Sequence, residues 1–199
     1  MVFGVIAFDD ALADPERIRI PTAFTSKVGP AENVRILANP RFKYREVYER
    51  ELKGSKGYEC DVANLDLLKV TCERIKKEMG HPQILIHNAV KGNFEKLLEG
   101  KPEWLEENFR INTTSLMYLV HAFIPNMVES KKGVIIVTGN TAAKRGIANT
   151  PYFAPTKAAQ RILAQSLAKD FGPKGIHVSY IICLLYTSDA ADEGLGVDL

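Results

Sequence analysis

Residues 134–178 read VIIVTGNTAAKRGIANTPYFAPTKAAQRILAQSLAKDFGPKGIHV, and their pattern is the clearest indication of the fold. The stretch opens with a β-branched run over 134–137, which is typical of a central, buried strand. Small and apolar residues at helical spacing follow over 153–171, and the Gly-Pro pair after them ends the helix. Residues 176–182 have the pattern of another buried strand, so the stretch predicts a strand, a helix and a strand in succession.

The same alternation extends toward the amino terminus. Short apolar runs predict strands there, and longer runs with apolar residues at helical spacing predict helices. The predicted strands are 2–8, 34–38, 57–62 and 83–88, and the predicted helices are 41–52, 65–79 and 103–129. Repeated alternation favours right-handed βαβ units, and therefore an α/β fold with a Rossmann-type, doubly wound parallel sheet in three αβα layers.

Length and composition predict one soluble domain. The chain has 199 residues, of which 46% are hydrophobic and 25% charged, which is enough for one core. A net charge of +2, with its cations spread along the chain, argues against a nucleic-acid partner. The apolar runs are far shorter than the roughly 20 residues that cross a bilayer, so we expect no membrane association. The cysteine and histidine spacings fit neither disulfides nor a metal site, and we expect a cytoplasmic protein without metal.

Three blocks in a fixed order carry a resemblance to a known family. Residues 87–90 (HNAV) follow a predicted strand, and residues 111–113 (INT) lie in the long predicted helix. The third block joins residues 156–159 (TKAA), which open the next helix, with residues 175–178 (GIHV), which begin the strand after it. With this order and spacing, the chain over about 34–182 resembles a short-chain dehydrogenase/reductase.

The resemblance implies an oxidoreductase that uses NAD or NADP and acts on an alcohol or carbonyl group of a small-molecule substrate. It also implies a homo-dimer or homo-tetramer, because the family pairs the helices that correspond to 103–129 and 153–171 with their copies in another subunit. The alternatives are a catalytically silent dinucleotide-binding or scaffold protein, and an inactive fragment.

Four catalytic positions follow from the resemblance. The family uses a tyrosine that exchanges a proton with the substrate, a lysine that lowers its pKa, a serine that donates a hydrogen bond and an asparagine that holds a relay water. Lys157 matches the lysine, and Asn112 matches the asparagine, although an asparagine inside a helix could equally be structural. Asn140 stands thirteen residues before Phe153, at the serine position, where its amide could donate. The flanking Thr138 and Thr141 could also contribute a hydroxyl.

Phe153 is the main departure from that pattern. It stands four residues before Lys157, where the family has its tyrosine, and phenylalanine has no proton to transfer. The neighbouring Tyr152 is about 100° further around a helix, so its hydroxyl would point away from Lys157 unless the first turn unwinds. Tyr152 is therefore either a replacement acid or a packing aromatic.

The cofactor positions are also carried by the resemblance. Asp61 and Val62 correspond to the adenine position. Asn88, Ala89 and Lys157 line the cleft, and Arg41 follows the second strand. Arg41 could meet a 2′-phosphate or merely solvate the start of a helix.

The family's glycine-rich turn after the first strand is absent. Residues 9–16 (DDALADPE) instead contain four carboxylates and no glycine, and such a turn should repel the phosphates of a dinucleotide. We therefore interpret residues 1–33 as either a diverged entry to the fold or not the natural beginning of the gene product.

The stretch 183–199 reads CLLYTSDAADEGLGVDL and departs from the family pattern again. It resembles the translation of a sequencing adapter, and the alternative is a natural acidic tail. We expect a single NAD(P)-binding domain over 1–182, clearest over 34–182 and incomplete at its carboxyl terminus, followed by a non-native tail at 183–199.

Overall fold

In the part of the chain that the structure describes, six parallel strands form the centre of the fold. The computed structural model describes residues 4–8, 34–38 and 55–183. Within these ranges one sheet has the strand order β3-β2-β1-β4-β5-β6. The strands are β1 Gly4–Phe8, β2 Val34–Ala38, β3 Lys56–Glu59, β4 Ile84–Asn88, β5 Gly133–Asn140 and β6 Ile176–Cys183. This is the doubly wound order of a Rossmann-type sheet, so the predicted fold class is confirmed.

The middle strands are buried, as their β-branched composition predicts. Ile84–Asn88 pairs with Gly133–Asn140 so that Ile86 lies beside Ile136. Leu85, Ile135 and Val137 are fully buried in the core. Branched side chains suit a pleated surface that is covered by helices, which accounts for the apolar run in β5.

Four α-helices connect the described strands from β3 onward. They are α1 Leu65–Met79, α2 Glu103–Phe109, α3 Ser115–Ser130 and α4 Ala154–Phe171. The steps from β3 to β4, β4 to β5 and β5 to β6 all move the same way across the sheet, so right-handed crossovers place these helices on one face. Leu68 of α1, Phe123 of α3 and Leu167 of α4 share one apolar core with the strands.

The first of these helices begins and ends as its sequence indicates. The Asn64 side chain accepts a hydrogen bond from the Leu67 backbone amide at 3.1 Å and so caps α1. Gly80 ends the helix with a φ of 84°, a left-handed value that suits glycine. The prediction of a helix over 65–79 is confirmed without a shift at either end.

The predicted continuous helix over 103–129 is wrong in one respect. A π-helical segment, Arg110–Thr114, separates α2 from α3. The wider turn is stabilised by hydrogen bonds from Asn112 to the backbone of Lys91 and to Thr156, which lie far away in sequence. Single π turns of this kind occur frequently at functional sites.

Several predictions fall on residues outside the described part of the chain. These are the helix at 41–52 with Arg41, the acidic turn at 9–16 and the tail from 184 onward. At the tail, β6 extends through Cys183, the first residue of the predicted non-native segment.

Candidate active site

The candidate site lies at the carboxyl edge of the sheet, where open α/β sheets bind ligands. Asn88 ends β4 and Asn140 ends β5, while α4 starts at Ala154 and carries Lys157 in its first turn. Strand order reverses between β1 and β4, so this edge is also next to the topological switch point.

Lys157 is held against the end of β5. Its side chain is only 1% exposed. The Lys157 Nζ donates to the Thr138 carbonyl oxygen at 3.0 Å. The Thr138 hydroxyl lies 2.7 Å from the Asn88 Oδ1 and 3.0 Å from the His87 carbonyl oxygen, to which it can donate. The structure therefore brings Lys157, Thr138 and Asn88 together, with Ala89 buried next in the chain.

The Asn140 side chain uses its Oδ1 in a hydrogen bond within the protein. The Oδ1 accepts a hydrogen bond from the Ala142 backbone amide at 2.7 Å, which caps the short 3₁₀ turn Thr141–Ala143. This bond orients the amide, and the Nδ2 remains as a group that can donate to an oxygen. Thr138 lies two residues earlier on the same strand, so both side chains leave the same face.

Phe153 lies in an apolar environment. Its side chain is buried, and its ring packs against Phe94 with the ring centres 5.1 Å apart. The Phe153 carbonyl oxygen accepts from the Lys157 amide at 3.2 Å, which places the two residues one helical turn apart. A Cβ added to Gly92 would lie 3.2 Å from the Phe153 ring, so residues 92–94 cover it closely.

Tyr152 is directed away from Lys157 by its own contacts. Its hydroxyl donates to the Leu97 carbonyl oxygen at 2.6 Å. Its ring meets Trp104 edge-on at 5.7 Å, and its carbonyl accepts from Asn108 at 2.9 Å. These contacts favour the interpretation of Tyr152 as a packing aromatic, since proton transfer would require the hydroxyl to leave Leu97.

Asn112 connects three parts of the site. Its Oδ1 accepts from the Lys91 amide at 2.8 Å, and its Nδ2 donates to the Lys91 carbonyl at 2.8 Å. The same Nδ2 lies 2.8 Å from the Thr156 hydroxyl oxygen, which precedes Lys157. Asn112 thus joins the π segment to the loop after β4 and to the first turn of α4.

Gln160 is a buried residue of the site that the motif comparison did not identify. Its Nε2 lies 2.6 Å from the Asn112 carbonyl oxygen and 3.1 Å from the His87 Nδ1. A carbonyl oxygen can only accept, so the Gln160 nitrogen must face it and must also donate to His87. The amide inside an apolar helical pattern is the only signal that sequence offered.

The His87 ring takes one tautomer as a result. Because its Nδ1 accepts, its Nε2 carries the proton and donates to the Ser115 hydroxyl oxygen at 2.8 Å. The Ser115 hydroxyl in turn donates to the Ile111 carbonyl at 2.6 Å. Burial, reinforced by the Lys157 ammonium, lowers the pKa of His87 to about 3, so the ring is neutral near pH 7.

The predicted adenine position lies at the end of β3. Asp61 accepts from the Ala63 amide at 2.9 Å and from the Asn64 amide at 3.0 Å, and Val62 is buried. These residues are three strands away from β4 in the sheet order. They are therefore separated from Lys157, Thr138 and Asn88. Arg41 lies outside the described residues.

The described residues contain no cluster suited to a metal ion: no three His, Cys, Asp or Glu side chains among them are grouped to hold one. None of the helices described above is long and apolar enough to span a membrane.

Comparison with known proteins identifies the family. A family model described as short chain dehydrogenase matches residues 34–194. The chain belongs to the short-chain dehydrogenase family. An uncharacterised short-chain type dehydrogenase/reductase of Sinorhizobium fredii is 28% identical over 145 residues, which is 72% of this chain and 57% of the relative. The 3-oxoacyl-[acyl-carrier-protein] reductase of Buchnera aphidicola is 29% identical over 125 residues, covering 63% of this chain and 51% of the relative.

Solved structures of short-chain dehydrogenases share the fold. A metagenomic short-chain oxidoreductase in complex with NADP matches with a TM-score of 0.75 and 21% identity, over 90% of this chain and 81% of that one. An NAD⁺-bound xylitol dehydrogenase matches with a TM-score of 0.72 and 20% identity, over 92% and 70%. The chain thus spans a little over half the length of the two bacterial sequence relatives and more of the solved chains.

Proposed function

We propose that the protein is an NAD(P)-dependent oxidoreductase that acts on the alcohol or carbonyl group of a small molecule. The observation that carries this proposal is the buried Lys157, whose Nζ lies 3.0 Å from the Thr138 carbonyl at the carboxyl edge of the sheet. A buried cation at the ligand-binding edge of a Rossmann-type sheet is a marker of function. The family's named relatives, which include a 3-oxoacyl-carrier-protein reductase, support the reaction class.

The described residues fit a dinucleotide on its nicotinamide side. Asn88 and Lys157 offer an amide and an ammonium for the sugar and ring, and the small Ala89 lets the backbone approach them. Asp61 and Val62 would meet the adenine at the end of β3. The bound nicotinamide would supply or accept the hydride. NADP and NAD⁺ in the two solved relatives leave both cofactors as candidates.

The protein's own residues would orient the substrate more than they would protonate it. The Asn140 Nδ2 would donate to the substrate oxygen, and the Lys157 ammonium would stabilise negative charge on it. Phe153 offers no proton, and the Tyr152 hydroxyl is bonded to Leu97. Water would then supply the proton, so we expect slow turnover, since a positioned general acid contributes about 10²–10⁴-fold.

A catalytically silent dinucleotide-binding protein is the second candidate. The tight cover of Phe153 by Phe94, with ring centres 5.1 Å apart, favours it because an apolar contact occupies the place of the acid. The named oxidoreductase relatives favour the first candidate.

We also propose a homo-dimer or homo-tetramer that is located in the cytoplasm. Met117 on α3 and Ile162 on α4 are 37% and 51% exposed, so both long helices carry apolar surface that a second copy could cover. Cys60 and Cys72 are free and buried, as suits a reducing compartment.

Turnover assays separate the candidates. The purified chain is mixed with NADH or NADPH and a panel of ketones, and cofactor absorbance is followed. The oxidoreductase proposal predicts slow cofactor oxidation that Lys157→Met abolishes and Lys169→Met preserves, because Lys169 is exposed on the same helix. Cofactor binding without any turnover would overturn the oxidoreductase proposal and support the catalytically silent protein. Absence of both cofactor binding and turnover would overturn both candidates.

A further inference from the structure

Gln160 is a fully buried amide on the helix that carries Lys157. It is 0% exposed and follows Lys157 by three residues on α4. Its Nε2 makes both contacts described above, to the Asn112 carbonyl and to the His87 ring. Burial of an amide is unfavourable unless hydrogen bonds replace those to water, so a packing role alone would favour an apolar side chain.

One set of contacts leads from Gln160 back to Lys157. Gln160 holds the His87 side chain on β4, and the His87 carbonyl lies 3.0 Å from the Thr138 hydroxyl. The Thr138 carbonyl accepts from the Lys157 Nζ at 3.0 Å. Gln160 and Lys157 lie on the same helix, so these hydrogen bonds form a closed network that joins β4, β5 and α4. We call it the Gln160 network. A shift of Gln160 would therefore move the group that holds Lys157.

A second set of contacts leads from Gln160 to the loop after β4. Gln160 holds the carbonyl of Asn112 at 2.6 Å, and the Asn112 side chain holds both backbone groups of Lys91 at 2.8 Å. Lys91 follows Ala89 by two residues. The contacts through Asn112 therefore fix the backbone beside the proposed cofactor cleft.

We propose that Gln160 is a positioning residue of this site, which sets Lys157 through His87 and the loop after β4 through Asn112. This proposal rests on the proposed dinucleotide-binding function. Gln160 acts through other residues and touches neither substrate nor cofactor.

Three variants of the full chain test the proposal. Gln160→Met keeps the size of the side chain but removes the donor, and Gln165→Met makes the same change at an exposed position of the same helix. Gln160→Met loses both hydrogen bonds of the Nε2, and we expect it to weaken NADH and NADPH binding about tenfold, because Lys157 and the loop after β4 are then less well positioned. Nitrogen-15 NMR of His87 should show one tautomer in the parent chain and in Gln165→Met, and a mixture in Gln160→Met.

Gln160→Glu supplies a readout that a merely structural role would not change. Near neutral pH its carboxylate cannot donate to the Asn112 carbonyl, so dinucleotide binding should be weak. A protonated carboxyl has one donor, so binding should recover as the pH falls, whereas the parent chain should not show this gain.

Equal dinucleotide affinity and equal His87 spectra for Gln160→Met and Gln165→Met would overturn the proposal. If the parent chain binds neither dinucleotide, the proposed function fails. The His87 spectra then show separately whether Gln160 determines the His87 tautomer and so orders the Gln160 network. If Gln160→Met does not unfold cooperatively, the pH dependence of Gln160→Glu decides instead, and a flat profile counts against the proposal.

Discussion

Phe153 and Lys157 lie one turn apart at the start of α4, with the Lys157 amide on the Phe153 carbonyl at 3.2 Å. The change Phe153→Tyr would place a hydroxyl on the ring one turn before Lys157, whose ammonium lowers the pKa of such a group. We expect kcat/KM for carbonyl reduction to rise by at least about 100-fold, as a gained general acid allows. Steady-state kinetics with NADPH measures it.

The matched controls for this gain are on the same helix. Phe153→Tyr combined with Lys157→Met should lose the gain, and Phe171→Tyr at the far end of α4 should never produce it. Equal rates for the parent chain and a well-folded Phe153→Tyr would contradict the assignment of this position to proton transfer.

The neutral His87 makes stability depend on pH. Its pKa is lowered to about 3 in the folded chain from 6.5, so as pH falls below 6.5 the unfolded chain binds a proton that the folded chain refuses. Stability is fully present above pH 6.5, and between pH 7 and pH 5 the free energy of unfolding should fall by about 2 kcal/mol from this group. Urea denaturation measures it, and His87→Asn should remove that part of the slope. A slope unchanged by His87→Asn would show that the ring is not held neutral.

Among the helices, sequence pattern predicted correctly the one whose ends are determined by neighbouring residues. The helix Leu65–Met79 was predicted in full because its cap, apolar face and terminal glycine are all adjacent in sequence. The π segment was not, since Asn112 is held by Lys91 and Thr156, which are 21 and 44 residues away. Periodicity carries no information about partners at such separations.

Asn112→Ala tests what stabilises the π segment. The change removes three hydrogen bonds, two to the backbone of the half-buried Lys91 and one to the Thr156 hydroxyl, and each such bond contributes about 1 kcal/mol. We expect the free energy of unfolding to fall by about 3 kcal/mol in urea titrations. Asn126→Ala, at a half-buried position of α3, should change it by less than about 0.5 kcal/mol. A small effect from both would mean that the segment does not depend on Asn112.

Tyr152→Phe tests how the segment 92–101 is held over the site. It removes the hydroxyl that donates to the Leu97 carbonyl at 2.6 Å, so the segment should open more often. Hydrogen exchange of its amides should be faster by about fivefold, as expected for a loss of about 1 kcal/mol. Residual turnover should be unchanged, and so should exchange in Tyr118→Phe on α3. Loss of turnover would instead identify Tyr152 as the acid.

At the scale of the whole molecule, motif order predicted the family. It also pointed to Lys157 and Asn112 through short sequence blocks, and to Asn140 through its separation from Phe153, and these three stay predictions of site residues. Gln160 was not found, because its partner His87 is 73 residues away and a glutamine in a helix usually faces solvent. The strand order then brings β4, β5 and α4 together and so assembles residues that no local pattern relates.

We infer that the carboxyl edge of this sheet binds a nicotinamide dinucleotide through Lys157. Isothermal titration of the 199-residue chain with NADH and with NADPH measures this binding. We expect saturable binding of at least one of them at one site per chain, lost in Lys157→Met and retained in Lys169→Met. No binding of either cofactor, or equal binding by the two variants, would overturn the inference.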